Sequence, residues 1–208
     1  MNTHARNEDR VVTVEPGALQ RKSYALLRKG RQPNSLLLRA LEFCGEPAGR
    51  ALDLGAGPLN EARFLLQSGF TVDAVDRDPF MLALAARLND RRLNAIHDDI
   101  RNFAIEPERY SLIVAINTLP FLQRSDLTGA LAAIIGGLAR NGILCCTLFS
   151  VDDSWAGCKP YMTFLTRDEV EGLFRKLRPK EFTERVYDGV DADNSPKHWH
   201  IFRCIYQK

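Results

Sequence analysis

No apolar run in this sequence is long enough to cross a bilayer: the longest, such as Leu131 to Ile135, fall far short of the roughly 20 residues a spanning helix needs. Cys-x-x-Cys pairs are missing too. The five cysteines, Cys44, Cys145, Cys146, Cys158 and Cys204, are odd in number, which argues for a reduced chain without a zinc site. An excess of one charge is also lacking. With 28 Lys and Arg against 26 Asp and Glu, the net charge is +2, and a dedicated nucleic-acid binder is not expected. Nine basic residues against five acids in the first 50 read more simply as a solvated surface than as a phosphate-binding face. No internal repeat or low-complexity tract is present. Residues 1–17 are polar and charged without an apolar core, so neither a secretory signal nor a membrane anchor is expected, and the chain reads as cytoplasmic. That stretch is taken as a flexible amino-terminal segment. The remainder, 18–208, has the length of one domain with a single buried core.

What the sequence does contain is organised around Arg50 to Gly57, Arg-Ala-Leu-Asp-Leu-Gly-Ala-Gly. Ala51, Leu52 and Leu54 form a short apolar strand interrupted by Asp53, and two glycines two apart allow a sharp turn and close approach of a ligand. Pro58 is expected at the first helical position, with Glu61 near the positive end of the helix dipole. Gly69 ends that helix, and Phe70 to Val75 supplies a second strand that runs into Asp76. Strand, glycine turn, helix and strand make half of a nucleotide-binding α/β unit, whose ligands lie outside the carboxyl ends of the strands. A carboxylate at Asp76 can accept from both hydroxyls of a ribose. A dinucleotide fingerprint would place a third glycine where Asn60 stands, so a pyrophosphate cradle is disfavoured.

Asp53-Leu-Gly-Ala-Gly57, followed by Asp76, resembles motif I and the ribose acid of class I S-adenosylmethionine-dependent methyltransferases. His97-Asp-Asp-Ile100 and Tyr110 to Leu122 resemble the ends of that family's third and fourth strands. The resemblance implies a Rossmann-like, doubly wound α/β fold: a mostly parallel seven-stranded sheet, helices on both faces, and an antiparallel strand at its edge. It further implies S-adenosylmethionine as cofactor, S-adenosylhomocysteine as product, and a cofactor site made of Asp53, Gly55, Ala56, Gly57, Asp76, Arg77, Asp99, Ile100 and Asn117. Asp99 would accept from the adenine amino group and Ile100 would offer its backbone N–H. Residues 18–45 would be a helical cover over the cofactor or substrate, with Tyr24 as a lid residue or an ordinary packed tyrosine. Asn117 would face the methyl donor or serve as a turn residue.

The rest alternates between helix and strand. Asn34 is placed to cap a helix from Leu36 to Cys44, and Asp78 and Pro79 open a helix to Asn89. Asp126 to Leu138 has an apolar face. Asn141-Gly142 turns into a strand from Ile143 to Phe149, and Thr166 with Glu169 forms a capping box. Phe149 to Lys159, Thr163 to Val170 and Lys197-His-Trp-His-Ile-Phe202 resemble the small-molecule branch that includes tellurite-resistance methyltransferases. By that resemblance Trp155, His198 and His200 border the acceptor. Histidines two apart on a strand share a face, which also suits a metal, but no acid or cysteine at metal spacing accompanies them, and packed or hydrogen-bonded histidines are the larger expectation. No metal and no catalytic residue is assigned. The expected activity is in-line methyl transfer to a small-molecule acceptor. A nucleic-acid methyltransferase and a nonenzymatic partner subunit are the alternatives, and the oligomeric state is open.

Overall fold

The computed structural model describes residues 30–45 and 49–208; the expected segment 1–17 and Tyr24 lie outside them. The elements run α1 (Ser35–Leu41), β1 (Arg50–Leu54), α2 (Asn60–Gln67), β2 (Thr71–Asp76), α3 (Phe80–Leu88), β3 (Leu93–His97), β4 (Tyr110–Ala115), α4 (Arg124–Gly137), β5 (Leu138–Ser150), β6 (Phe164–Leu165), α5 (Arg167–Leu173), β7 (Arg178–Val190) and β8 (Pro196–Gln207). The main sheet is ordered β3-β2-β1-β4-β5-β8-β7, with the two-residue β6 attached to β5 off that path. Strands β1 to β5 are parallel where they pair. β8 is antiparallel to both its neighbours, β5 and β7. The expected doubly wound, mostly parallel seven-stranded sheet with an antiparallel pair at one edge is therefore present.

Alternate residues of each strand feed two separate cores, as the two-residue period of a strand requires. On one face Leu52, Leu54, Ile113, Leu144, Cys146 and Leu148 pack with Leu127, Leu131 and Ile134 of α4 and Val170 of α5. On the other, Ala51, Val72, Ala74, Leu112, Val114, Ile143 and Cys145 pack with residues of α1, α2 and α3. Helix α1 has seven residues, too few to be stable alone in water. It is held because Leu36, Leu37 and Ala40 are fully buried, each leucine contributing about 1.5–3 kcal/mol. Asn34 caps it as expected, accepting from Leu36 N–H at 2.9 Å. Thr166 and Glu169 form the reciprocal capping box of α5.

Helix α1 stops at Leu41, short of the expected Cys44, and two further boundaries differ from the sequence reading for identifiable reasons. Helix α2 begins at Asn60, not Pro58, because Gly57 (φ 44°) and Leu59 (φ 62°) take the left-handed conformation. The chain therefore makes one more turn, closed by Leu59 N–H to Ala56 O at 2.8 Å, before it can coil. Burial of Leu59 offsets the cost of that conformation. Strand β5 begins at Leu138 rather than Ile143 because a bulge separates its pairings with Tyr110 and Leu112. Asn141 (φ 63°) and Gly142 lie inside the bulge, where a Cβ on Gly142 would stand 2.8 Å from two carbonyl oxygens.

Candidate functional site

The glycine turn is fastened to the end of β2. Gly55 and Ala56 N–H both donate to Val75 O, at 2.8 and 3.1 Å, and Gly57 N–H donates to Asp76 Oδ2 at 2.7 Å. Asp78 N–H donates to Asp76 Oδ1 at 2.8 Å, while Asp78 itself accepts from Phe80 N–H at the head of α3. Asp76 is thus not the helix cap. Its half-buried carboxylate is oriented by one backbone donor on each oxygen, and an ionised carboxylate has about four acceptor positions, so capacity for further hydroxyl donors remains.

Sequence reasoning treats Gly55 and Gly57 alike; the structure separates them. Gly55 has φ 73°, and a Cβ there would collide with the Thr118 side chain, whose hydroxyl donates to Leu54 O at 2.8 Å. Gly57 has φ 44°, and the nearest atoms to a Cβ would be Gly55 O at 3.8 Å and Asp76 Oδ2 at 3.9 Å. One glycine is required by the protein's own packing, and the other opens toward space. No pattern in the sequence points to Thr118.

Asp53, at the carboxyl end of β1, is 3 % exposed, and its Oδ2 has no hydrogen-bond partner. Burial, then the nearby charges of Glu61 and Asp76, push its carboxyl well above the ordinary range, against a smaller opposing pull from the Ala62 N–H. Glu61 in turn accepts from Asn34 N–H at 3.1 Å, tying α1 to the head of α2. The turn is consequently rich in acids. Such a site favours a ligand that brings positive charge and hydroxyl donors, and opposes a pyrophosphate.

Arg77, Asp99 and Ile100 lie at the neighbouring strand ends. Arg77 O is hydrogen-bonded to His97 Nε2 at 3.0 Å, and Ile100 is half-buried against the core. Arg101 binds both oxygens of Asp99, at 2.9 and 2.7 Å, and holds its carboxyl down to about 2. Asp99 is therefore an ionised acceptor already engaged by the Arg101 guanidinium and by the Arg101 backbone N–H at 3.0 Å. Asn117, after β4, has φ 53° and donates its N–H to Thr147 Oγ1 at 2.8 Å, which fixes it beside β5.

On β8 the two histidines do share a face, with both engaged by carboxylates. His198 Nδ1 lies 2.7 Å from Asp188, and His200 Nε2 lies 2.6 Å from Glu184. His200 also packs on Phe202, which belongs to the α4 and α5 face. The opposite face of β8 presents Lys197 and Trp199. Trp199 contacts Phe149 and Trp155, and Arg203, farther along that face, bonds Ser35 of α1. Trp155 thus joins this aromatic group and the histidines do not. Among the described residues no cluster of metal-ligating side chains forms.

The sequence reading missed a buried ion pair at the centre of the aromatic group. Lys197 Nζ bonds Asp153, with 1 % and 0 % of the two side chains exposed. Asp153 also accepts from Trp155 N–H at 3.0 Å and His200 N–H at 3.1 Å. The Lys197 ammonium lies 4.1 Å from the Trp155 ring centre and 4.2 Å from that of Trp199. Burial lowers its pKa, and Asp153 opposes that shift. A carboxylate and an ammonium 44 positions apart leave no local signal in a sequence.

Residues 51–142 match the family model described as methyltransferase domain. A carboxy-S-adenosyl-L-methionine synthase of Vibrio campbellii is 38 % identical over 96 residues, 44 % of this chain and 38 % of that protein. TehB from Haemophilus influenzae superposes with a TM-score of 0.72 at 16 % identity, over 85 % of this chain and 62 % of TehB. The chain has the class I methyltransferase fold. The N-methyltransferase NodS of Bradyrhizobium japonicum, solved with S-adenosyl-L-homocysteine, shares it with a TM-score of 0.68 at 15 % identity, over 93 % of this chain and 99 % of NodS. The chain spans less than two fifths of the curated relative it matches. Within this methyltransferase fold, the family match contains Asp53, Asp76 and Asp99 and stops short of Asp153, Trp155 and Lys197. Among the described residues no helix is long and apolar enough to cross a membrane.

Proposed function

We propose that this chain transfers the methyl group of S-adenosylmethionine to a small-molecule acceptor. The observation that carries this reading is the acid-lined turn: Asp76 oriented by Gly57, above a buried Asp53 oxygen with no partner. A nucleoside with a cationic tail fits that donor set, since Asp76 has acceptor capacity for ribose hydroxyls and positive charge nearby would let Asp53 ionise. The fold shared with NodS, solved with S-adenosyl-L-homocysteine, supports the same ligand. When bound, S-adenosylmethionine supplies an activated methyl carbon with a neutral thioether as leaving group. The chain's share is then to position: the Asp76 carboxylate holds the ribose, the Gly57 turn admits close approach, and the left-handed Asn117 backs the space where donor and acceptor meet. Asp99, already held by Arg101, contributes a fixed negative charge at the adenine end.

Asp76→Ala should weaken S-adenosylmethionine and S-adenosylhomocysteine alike by at least about tenfold, since hydrogen bonds to charged groups contribute roughly 1.5–3 kcal/mol each. Calorimetry measures it. Unchanged affinity for both ligands would reject the nucleoside assignment. Release of S-adenosylhomocysteine on screening thiols, oxyanions and amines tests the transfer itself.

A further inference from the structure

Beyond the glycine turn, the carboxyl ends of β4 and β5 carry an aromatic surface with unusual electrostatics. Phe121 is 44 % exposed, and its ring meets those of Phe149 and Trp155 edge-on, at 6.3 and 6.4 Å. Trp155 is only half-buried. Two ammonium groups already lie on that ring system: Lys197 at 4.1 Å and Lys159 at 5.6 Å from its centre. An aromatic face attracts a cation through its negative quadrupole, and here that negative potential is already taken by the chain's own lysines. A third cation would meet repulsion. The adjoining cleft, about 360 Å³, is lined by Lys159, Arg124, Val151, Met162 and Phe164 among others; Arg124 is paired with Glu169, which leaves Lys159 as the cation of an otherwise apolar lining that holds no carboxylate among the described residues.

We infer that the acceptor is a flat, anionic aromatic molecule that lies against Phe121 and Trp155 with its negative group toward Lys159. This rests on the methyl-transfer reading and narrows it. The rings supply apolar area and edge-to-face contact to a planar partner, while Lys159 supplies the field that selects its charge; Arg124 nearby is paired with Glu169. An aromatic box built to take quaternary ammonium ligands would present empty ring faces between carboxylates. Here the box is filled by Lys197, and its carboxylate, Asp153, is consumed by Lys197 and two backbone N–H groups. An anionic acceptor is also a competent nucleophile without a general base, which agrees with the lack of a histidine on this face.

Binding is measured by calorimetry on the full chain, with and without S-adenosylhomocysteine, using three unreactive probes. These are 2-naphthoate (flat, anionic), decalin-2-carboxylate (anionic, not flat) and 2-naphthyltrimethylammonium (flat, cationic). Naphthoate should bind at least about tenfold more tightly than either of the others. Phe121→Ala should reduce its affinity about fivefold or more, as should Lys159→Glu, and Lys159→Glu should strengthen the cationic probe. Both substitutions are at the surface and away from the glycine turn. A preference for the cation, parity between naphthoate and decalin carboxylate, or naphthoate binding indifferent to both variants would overturn the assignment. Failure of S-adenosylhomocysteine to bind, with the naphthoate preference intact, would count against the methyl-donor reading alone.

Discussion

Two carboxylates are buried on the adjacent strands β1 and β2, Asp53 and Asp73, on opposite faces of the sheet, and they stand in opposite conditions. Asp73 is 2 % exposed and Asp53 is 3 % exposed. Asp73 accepts from Arg50 at 2.9 Å, from the Asn94 amide at 3.0 Å and from the Tyr110 hydroxyl at 3.0 Å. Its charge is matched, and as a consequence Tyr110 is driven upward by burial and by that acceptor. Asp53 keeps an oxygen with no partner and is driven upward itself. The first joins strands; the second keeps a buried oxygen with no partner among the described residues. Burial alone does not mark a ligand site; burial without satisfaction calls for an explanation, at Asp53 as at the Arg109 Nε.

The largest effect should come from breaking the satisfied member. Asp73→Ala leaves Arg50 and the Tyr110 hydroxyl without their acceptor, and should cost about 3–5 kcal/mol in urea melts while cofactor affinity stays within about threefold. Gly55→Ala comes next, at about 1–3 kcal/mol, because the new methyl group must displace Thr118. Gly57→Ala has room for its methyl group but must hold φ 44°, at about 1–2 kcal/mol, and should lose ligand affinity in addition.

Asp53→Asn sharpens the contrast further. Since the folded state of Asp53 holds its proton more tightly than the unfolded chain does, stability should fall as pH rises from about 4 toward the raised folded value. The asparagine variant should lack that slope and match or exceed the parent's stability at neutral pH, yet bind S-adenosylmethionine more weakly. A parent stability that rises through the same window would contradict the account. The smallest effect is at the neighbouring strand end. Arg101→Ala should raise the Asp99 pKa from about 2, visible by carboxyl NMR, with cofactor affinity changed less than about threefold.

Much of the α/β plan was legible because its signals are local. Asn34 before Leu36 and Thr166 before Glu169 do in the structure what their spacing implied, whereas Asn141 and Gly142, read as a turn, form a bulge within β5. The apolar stretches of β1, β4 and β5 mark strands covered on both faces. Pro58 misled because the preference of proline for a helix start was overridden by the left-handed turn at Gly57 and Leu59. Around the glycine turn, Asp53, Gly57 and Asp76 converge as their positions suggested. The proposed acceptor side was less readable. His198 and His200 share a face as the strand period requires, but which face the sheet turns toward Phe149 depends on the register of β8 against β5. That register is set by partners some 50 residues away. Lys197, one position off, is the residue that meets Asp153 and Trp155.

The position of β8 bears on the order in which the molecule can assemble as it leaves the ribosome. β7 is made first, yet within the sheet its only neighbour is β8. Until Pro196 to Gln207 emerge and slot between β5 and β7, two long strands wait with unsatisfied backbone edges. The aromatic group around Lys197 cannot exist before that moment either. The proposed acceptor surface, built on a strand that follows both of its sheet neighbours along the chain, forms only once that strand closes the gap, and the interval before closure is the period of greatest exposure to misassociation.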